Sequence, residues 1–136
     1  MAFASSLSAG LFLLSRVLFA LVVGYLALGN LLDLDSSVDY AQSKGVPLAS
    51  IAVPVGSLGL ILGALAILVG VYPAVGALAV IGFLVPITLT MHDFWTMTGQ
   101  DRQNEQFHFL KNVGLIGGAL VFLALSSTTW PLAIGL

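Results

Sequence analysis

The sequence predicts an all-α integral membrane protein, a four-transmembrane-helix antiparallel bundle, and three observations carry that prediction. Of 136 residues, 59% are hydrophobic and only 7% are charged, with a mean hydropathy of +1.09; soluble domains carry about 25% charged residues. Two runs, Gly45 to Met91 and Asn112 to Leu136, contain no charge at all. A bilayer core takes roughly 20 apolar residues per helix, so the first run holds two spans and the second holds one. A third hydrophobic stretch, Leu7 to Leu32, brings the total to four and is interrupted by a single charge, Arg16.

Each element follows in order, and together they make one domain over residues 1–136. The first helix is expected over about residues 7–32; it lacks a basic n-region and a small-residue cleavage site, so it reads as a retained span rather than a signal peptide. A polar stretch from Asp33 to Ser50 separates it from a second helix over about 50–71, where Pro54 falls in the first turns. The turn Gly70-Val71-Tyr72-Pro73 puts Gly just past one helix and Pro at the start of the next, so the third helix, about 74–92, runs antiparallel beside the second. A second polar segment, Asp93 to Gln106, leads to a fourth helix over about 107–127. The apolar tail after it is expected at the membrane interface, with Trp130 as its anchor.

Four spans place both termini on one face. The opposite face receives both polar segments, all six acids, Lys44, Arg102 and Lys111; counting Lys and Arg alone points to this charged face as cytoplasmic. The absence of cysteine excludes thiol redox chemistry, thiolate metal sites, CxxCH haem attachment and disulfides. Four basic residues in a chain of net charge −2 give no basis for nucleic-acid binding.

Small residues indicate where helices meet. Gly59 and Gly63 form one GxxxG and Gly114 and Gly118 another, a spacing that lets backbones approach where lipid supplies no hydrophobic force between helices. Such faces serve packing within the bundle or contact with a second copy or a partner helix.

The residues able to carry chemistry are few. A guanidinium in a membrane span costs at least about 2.5 kcal/mol, so Arg16 calls for a partner. It shares a helical stripe with Ala20, Val23, Ala27 and Asn30, which points it into the bundle; the alternative is snorkelling to the nearer face. His108, Lys111, Gly114 and Gly118 form a stripe on the fourth helix with Asn112 beside it, so Lys111 either aims into a cavity mouth or sits at the water boundary. Pro86 frees the carbonyl of Gly82, a suitable acceptor for Arg16, a water or a ligand. Thr88, His92 and Trp95 share a face at i, i+4 and i+7; the alternative is an interfacial His92 with Trp95 as a headgroup anchor. His92 and His108 lie at one face, but no third ligand, ExxH or HExxH accompanies them, so no metal site is expected.

The ordered set of Arg16, Gly24-Tyr-Leu-Ala-Leu-Gly-Asn30, Tyr40-Ala-Gln-Ser-Lys-Gly-Val-Pro47, Gly63 with Gly70, His92-Asp-Phe-Trp95 and Phe109-Leu-Lys-Asn-Val-Gly-Leu-Ile-Gly-Gly118 resembles the DoxX family of small four-helix membrane proteins across nearly the whole chain. The resemblance implies a prokaryotic cell-membrane location and association with quinone-linked oxidoreductase assemblies, thiosulfate:quinone oxidoreductase among them, or with membrane complexes that handle oxidative stress. It places Arg16, His92, Lys111 and Asn112 at recurrent polar positions. The expectation is therefore a redox-associated membrane subunit binding a quinone- or lipid-like ligand through Arg16, Asn30, His92, Trp95, Lys111 and Asn112. A quinone is the cofactor expected, none is covalent, and electrons would come from a partner subunit. The alternative is a non-catalytic scaffold that holds partner helices, or further copies of itself, through its glycine faces.

Overall fold

The structure, a computed structural model, describes residues 2–136 and contains five α-helices. They are α1 (Ser6–Leu32), α2 (Leu34–Ser43), α3 (Ala49–Val69), α4 (Pro73–Met91) and α5 (Gly99–Leu125), with a 3₁₀ turn over Phe94–Thr96 before α5. Four segments are long and apolar enough to cross a bilayer: α1, α3, α4 with the 3₁₀ turn, and α5. The chain is a multi-pass membrane bundle.

Local chemistry sets the boundaries. Ser5 caps α1 by accepting from the Ser8 amide at 3.0 Å, while its own amide donates to the Ser8 hydroxyl at 3.3 Å, which satisfies otherwise orphaned donors. The turn between α3 and α4 depends on Gly70 at φ 73°, and Pro73 opens α4 at a position that needs no backbone donor.

Two boundaries differ from the sequence expectation. The polar stretch after α1 holds the short helix α2, which buries Ala41 and packs on α3. The last helix starts at Gly99 rather than near residue 107, so its first two turns are polar. At about 1.5 Å per residue, the 27 residues of α5 span roughly 40 Å, against a hydrocarbon core of about 30 Å, and the polar end extends beyond it.

α3 packs between α1 and α4, and α4 between α3 and α5, whereas α1 and α5 meet mainly through side chains, Phe12 and Phe19 against Phe122. The bundle is therefore closed by backbone-close packing on three sides and by aromatic side chains on the fourth. Large leucines such as Leu11, Leu18, Leu62, Leu78 and Leu120 face outward, and the interior favours small side chains: Ala20, Ala27, Ala64, Ala77 and Ala119 are buried. α3 and α4 cross most closely at Gly63 and Gly76, where a Cβ on either glycine would lie 2.8 Å from the carbonyl oxygen of the other. Gly59 faces the Phe83 ring and Gly118 the Phe19 ring. Gly114 has nothing within 4 Å of a would-be Cβ, so its GxxxG is only half used within the bundle.

Candidate functional site

The sequence-predicted polar residues separate into two groups at opposite ends of the bundle. Arg16 is fully buried, at 0% exposure, and lies on the predicted α1 stripe beside the buried Ala20, Val23 and Ala27. Its partners are neither the Gly82 carbonyl nor Asn30. The guanidinium donates to Ile67 O (3.3 Å) and Leu68 O (2.7 Å) in the last turn of α3, and to Pro131 O (2.8 Å) and Leu132 O (3.0 Å) in the C-terminal tail. The terminal carbonyls of a helix lack intrahelical donors and form the negative end of its dipole, so they supply the acceptors that Pro86 was expected to supply.

The same contacts correct the anchor role expected of Trp130, which points into the bundle. Trp130 is 8% exposed, its indole N–H donates to Leu125 O at 2.9 Å, and its ring lies 5.5 Å from the Arg16 guanidinium carbon. Phe12 flanks the guanidinium at 5.6 Å. The tail is then stitched to the α3–α4 turn by Ile134 N–H to Val69 O and Tyr72 N–H to Leu136 O, both 2.8 Å.

At the other end a cavity of about 200 Å³ opens among α1, α3, α4 and α5. Its apolar wall includes Val23, Leu26, Leu60, Leu84, Ile87 and Leu115, and its polar side consists of Asn30, His92, His108, Lys111 and Asn112. Four of the six predicted ligand residues thus converge here. Arg16 and Trp95 do not line it. The third helix ends at Met91, so Trp95 leaves the face it was expected to share with His92. It is 51% exposed and packs edge-on against Phe94 and Phe109 at centroid distances of 5.5 and 5.8 Å, the position of a headgroup-level aromatic.

Two residues to which the sequence reading gave no site role organise this end. Glu105 Oε2 meets His92 Nδ1 at 2.5 Å, and Glu105 Oε1 accepts from the Tyr40 hydroxyl at 2.9 Å. Tyr40 also lies 3.0 Å from the Met91 carbonyl oxygen, so a residue of α2 fixes the end of α4 to α5. A carboxylate only accepts, so Nδ1 of His92 carries the hydrogen and Nε2 is left for the cavity. The His92 and His108 rings stack at 5.1 Å with 25° between planes; His108 Nδ1 accepts from Lys111 Nζ at 3.3 Å. Among the described residues no group of three His, Asp or Glu side chains is placed to hold a metal ion. Glu105 precedes His108 by three residues, so the His108–Lys111 stripe extended back one turn reaches it. The assumption that polar residues before the span form a loop concealed that register.

Burial raises the Tyr40 phenol above the ordinary tyrosine range, and its bond to Glu105 and that residue's charge push it the same way. A raised acid favours the protonated fold. Stability from the neutral phenol is therefore complete below the usual value, near pH 10, and is lost as pH rises through the higher folded value. Tyr40→Phe is expected to remove a late step from the phenolate absorbance titration and to lower stability by about 1 kcal/mol at neutral pH. An unchanged titration would show that Tyr40 is not held by Glu105.

Asn112, 3% exposed, lines the cavity, and its amide is not sealed off from it, whereas the Arg16 guanidinium makes four hydrogen bonds within the protein. The fold and this cavity together define a small multi-pass membrane bundle with a polar-headed internal site. The chain belongs to the DoxX family, whose model matches residues 11–93. It is similar to "Inner membrane protein YphA" of Escherichia coli (strain K12), with 28% identity over 126 residues covering 93% of this chain and 87% of the relative. No solved structure matches it.

Proposed function

We propose that this chain is a membrane subunit of a redox-associated complex that binds a quinone- or lipid-like amphiphile in the α1–α5 cavity. The Asn112 amide carries this reading. Buried polar groups are nearly always hydrogen-bonded, and among the described residues no side-chain nitrogen or oxygen is sealed off without a partner, so the Asn112 amide reaches the open cavity. The amide of a residue only 3% exposed that lines the cavity offers a donor and an acceptor to the molecule that fills it. The volume of about 200 Å³ is below the roughly 300–1,000 Å³ of drug-sized sites, so it holds a ring or other small head. Between α1 and α5 the contact rests on the Phe12, Phe19 and Phe122 rings rather than on close backbone packing, so an apolar chain leaves toward lipid on the cavity side of those rings. With a quinone as ligand, Lys111 and the Asn112 amide are the donors for its carbonyls, His92 Nε2 accepts from a ring hydroxyl of the reduced form, and a partner subunit supplies the electrons.

The test is mass spectrometry of the solvent extract of protein purified in a mild detergent, wild type beside Asn112→Leu. A stoichiometric quinone or lipid is expected in the wild type and absent from the variant, with both proteins eluting as the same folded species. Equal retention by both, or no retained molecule in either, would sink the reading. The scaffold alternative gains less from the geometry, because Gly59, Gly63 and Gly118 face atoms of this chain's own helices.

A further inference from the structure

The charge of the cavity lining narrows the ligand class. Its polar side chains are two amides, two imidazoles and one ammonium, and no carboxylate lines it. The nearest acid, Glu105, has one oxygen engaged by Tyr40 and the other by His92. Asp93 is paired with Lys44 at 2.8 Å. Among the described residues, Lys111 forms no ion pair with any acid, and its bond to His108 uses one of three ammonium donors. Lys111 also lies beyond the polar first turns of α5, four residues past Phe107, where the apolar stretch begins.

We infer that the occupant of this cavity is a single-chain amphiphile with a small anionic head, a carboxylate or a phosphate monoester, paired with Lys111 and hydrogen-bonded by Asn112. This rests on the proposal that the cavity holds an amphiphile, and adds the charge and size of its head. Ionisable residues within membrane spans pair with an opposite charge or a polar cavity, and here the protein's own carboxylate, Glu105, reaches Lys111 only from beyond ion-pair distance. An anionic head supplies the direct partner, and its two or more oxygens occupy the ammonium and the Asn112 amide together. A neutral alcohol offers one oxygen and no charge. About 200 Å³ accommodates such a head with the first carbons of its chain against Leu26, Leu84, Ile87 and Leu115, but not the glycerol and two chains of a phospholipid.

The experiment uses the full-length protein in an uncharged maltoside detergent. Oleate, oleyl phosphate, oleyl alcohol and a short-chain ubiquinone are titrated separately, with the melting temperature as readout, on the wild type, Lys111→Gln and Asn112→Leu. Saturable stabilisation by oleate or oleyl phosphate and none by the alcohol is expected; the stronger of the two anions identifies carboxylate or phosphate. Charge-assisted hydrogen bonds contribute about 1.5–3 kcal/mol, so Lys111→Gln should weaken the anion by about ten- to a hundredfold. Asn112→Leu should abolish the response, which separates the site from a general detergent effect. Binding of the quinone or alcohol as tight as that of the anions, or an anion affinity indifferent to Lys111→Gln, overturns the anionic head while leaving the amphiphile site intact. No saturable response to any of the four, together with an extract unchanged by Asn112→Leu, overturns both.

Discussion

Arg16→Ala is expected to unfasten the C-terminal tail and to cost the protein at least about 3 kcal/mol of stability. Four carbonyl oxygens share this guanidinium, two at the end of α3 and two in the tail, and the site admits no water, with Arg16 at 0% exposure. A hydrogen bond to a charged group contributes about 1.5–3 kcal/mol, and each buried acceptor left alone costs a comparable amount. Arg16→Lys should fall between wild type and alanine. A compact ammonium has three donors and lacks the planar fork that reaches both segments, and it cannot lie between Phe12 and Trp130 as a flat group does. The measurement is thermal unfolding in detergent beside carboxypeptidase trimming of the tail. Rapid trimming of Arg16→Ala with an intact wild type is expected. Equal resistance and equal melting would show that the tail is held by Trp130 and the backbone bonds at Val69 and Tyr72 alone. Ligand retention should follow Asn112 rather than Arg16, because Arg16 does not line the cavity.

The separation of Arg16 from Lys111 shows what a membrane sequence discloses. Hydropathy is set by the solvent, and the bilayer constrains it strongly; the four spans, their antiparallel order and the inward stripe of α1 are therefore legible from composition and periodicity alone. A partner is not. Arg16 bonds to main-chain carbonyls more than fifty residues away, and every residue has a carbonyl, so no pattern of side chains marks the acceptors. The cavity end was half legible. Lys111, Asn112 and His92 stand out as polar residues in apolar surroundings, whereas Glu105 and Tyr40 are inconspicuous among other polar residues. Their roles depend on α2 and the first turns of α5 being helical, which water-facing segments do not advertise by hydropathy. A helix outside the membrane is signalled by amphipathic periodicity instead, and the ten residues of α2 offer fewer than three turns of it.

The glycines give the second large effect, and they separate two motifs that look alike in sequence. Gly63→Ala is expected to destabilise the bundle strongly and Gly114→Ala hardly at all. At Gly63 an added Cβ would lie 2.8 Å from the carbonyl oxygen of Gly76, with Val80 and Ala79 at 3.1 and 3.3 Å. A backbone oxygen cannot rotate aside, so α3 and α4 must move apart along their whole contact. Membrane helices are held by close packing rather than by a hydrophobic force, and overpacking of a tight contact costs typically about 1–3 kcal/mol; separation at a crossing point belongs at the upper end. At Gly59 the would-be clash is with the Phe83 ring, a side chain that can turn, so Gly59→Ala should fall between the two. At Gly114 nothing lies within 4 Å, and alanine is the better helix former by about 1 kcal/mol in water. Melting of the three variants in one detergent tests the order. A Gly114→Ala variant that folds as well as the wild type but loses a copurifying chain or an oligomer would assign that open glycine to an intermolecular contact. Equal melting of Gly63→Ala and wild type would mean that α3 and α4 do not cross at Gly63 and Gly76.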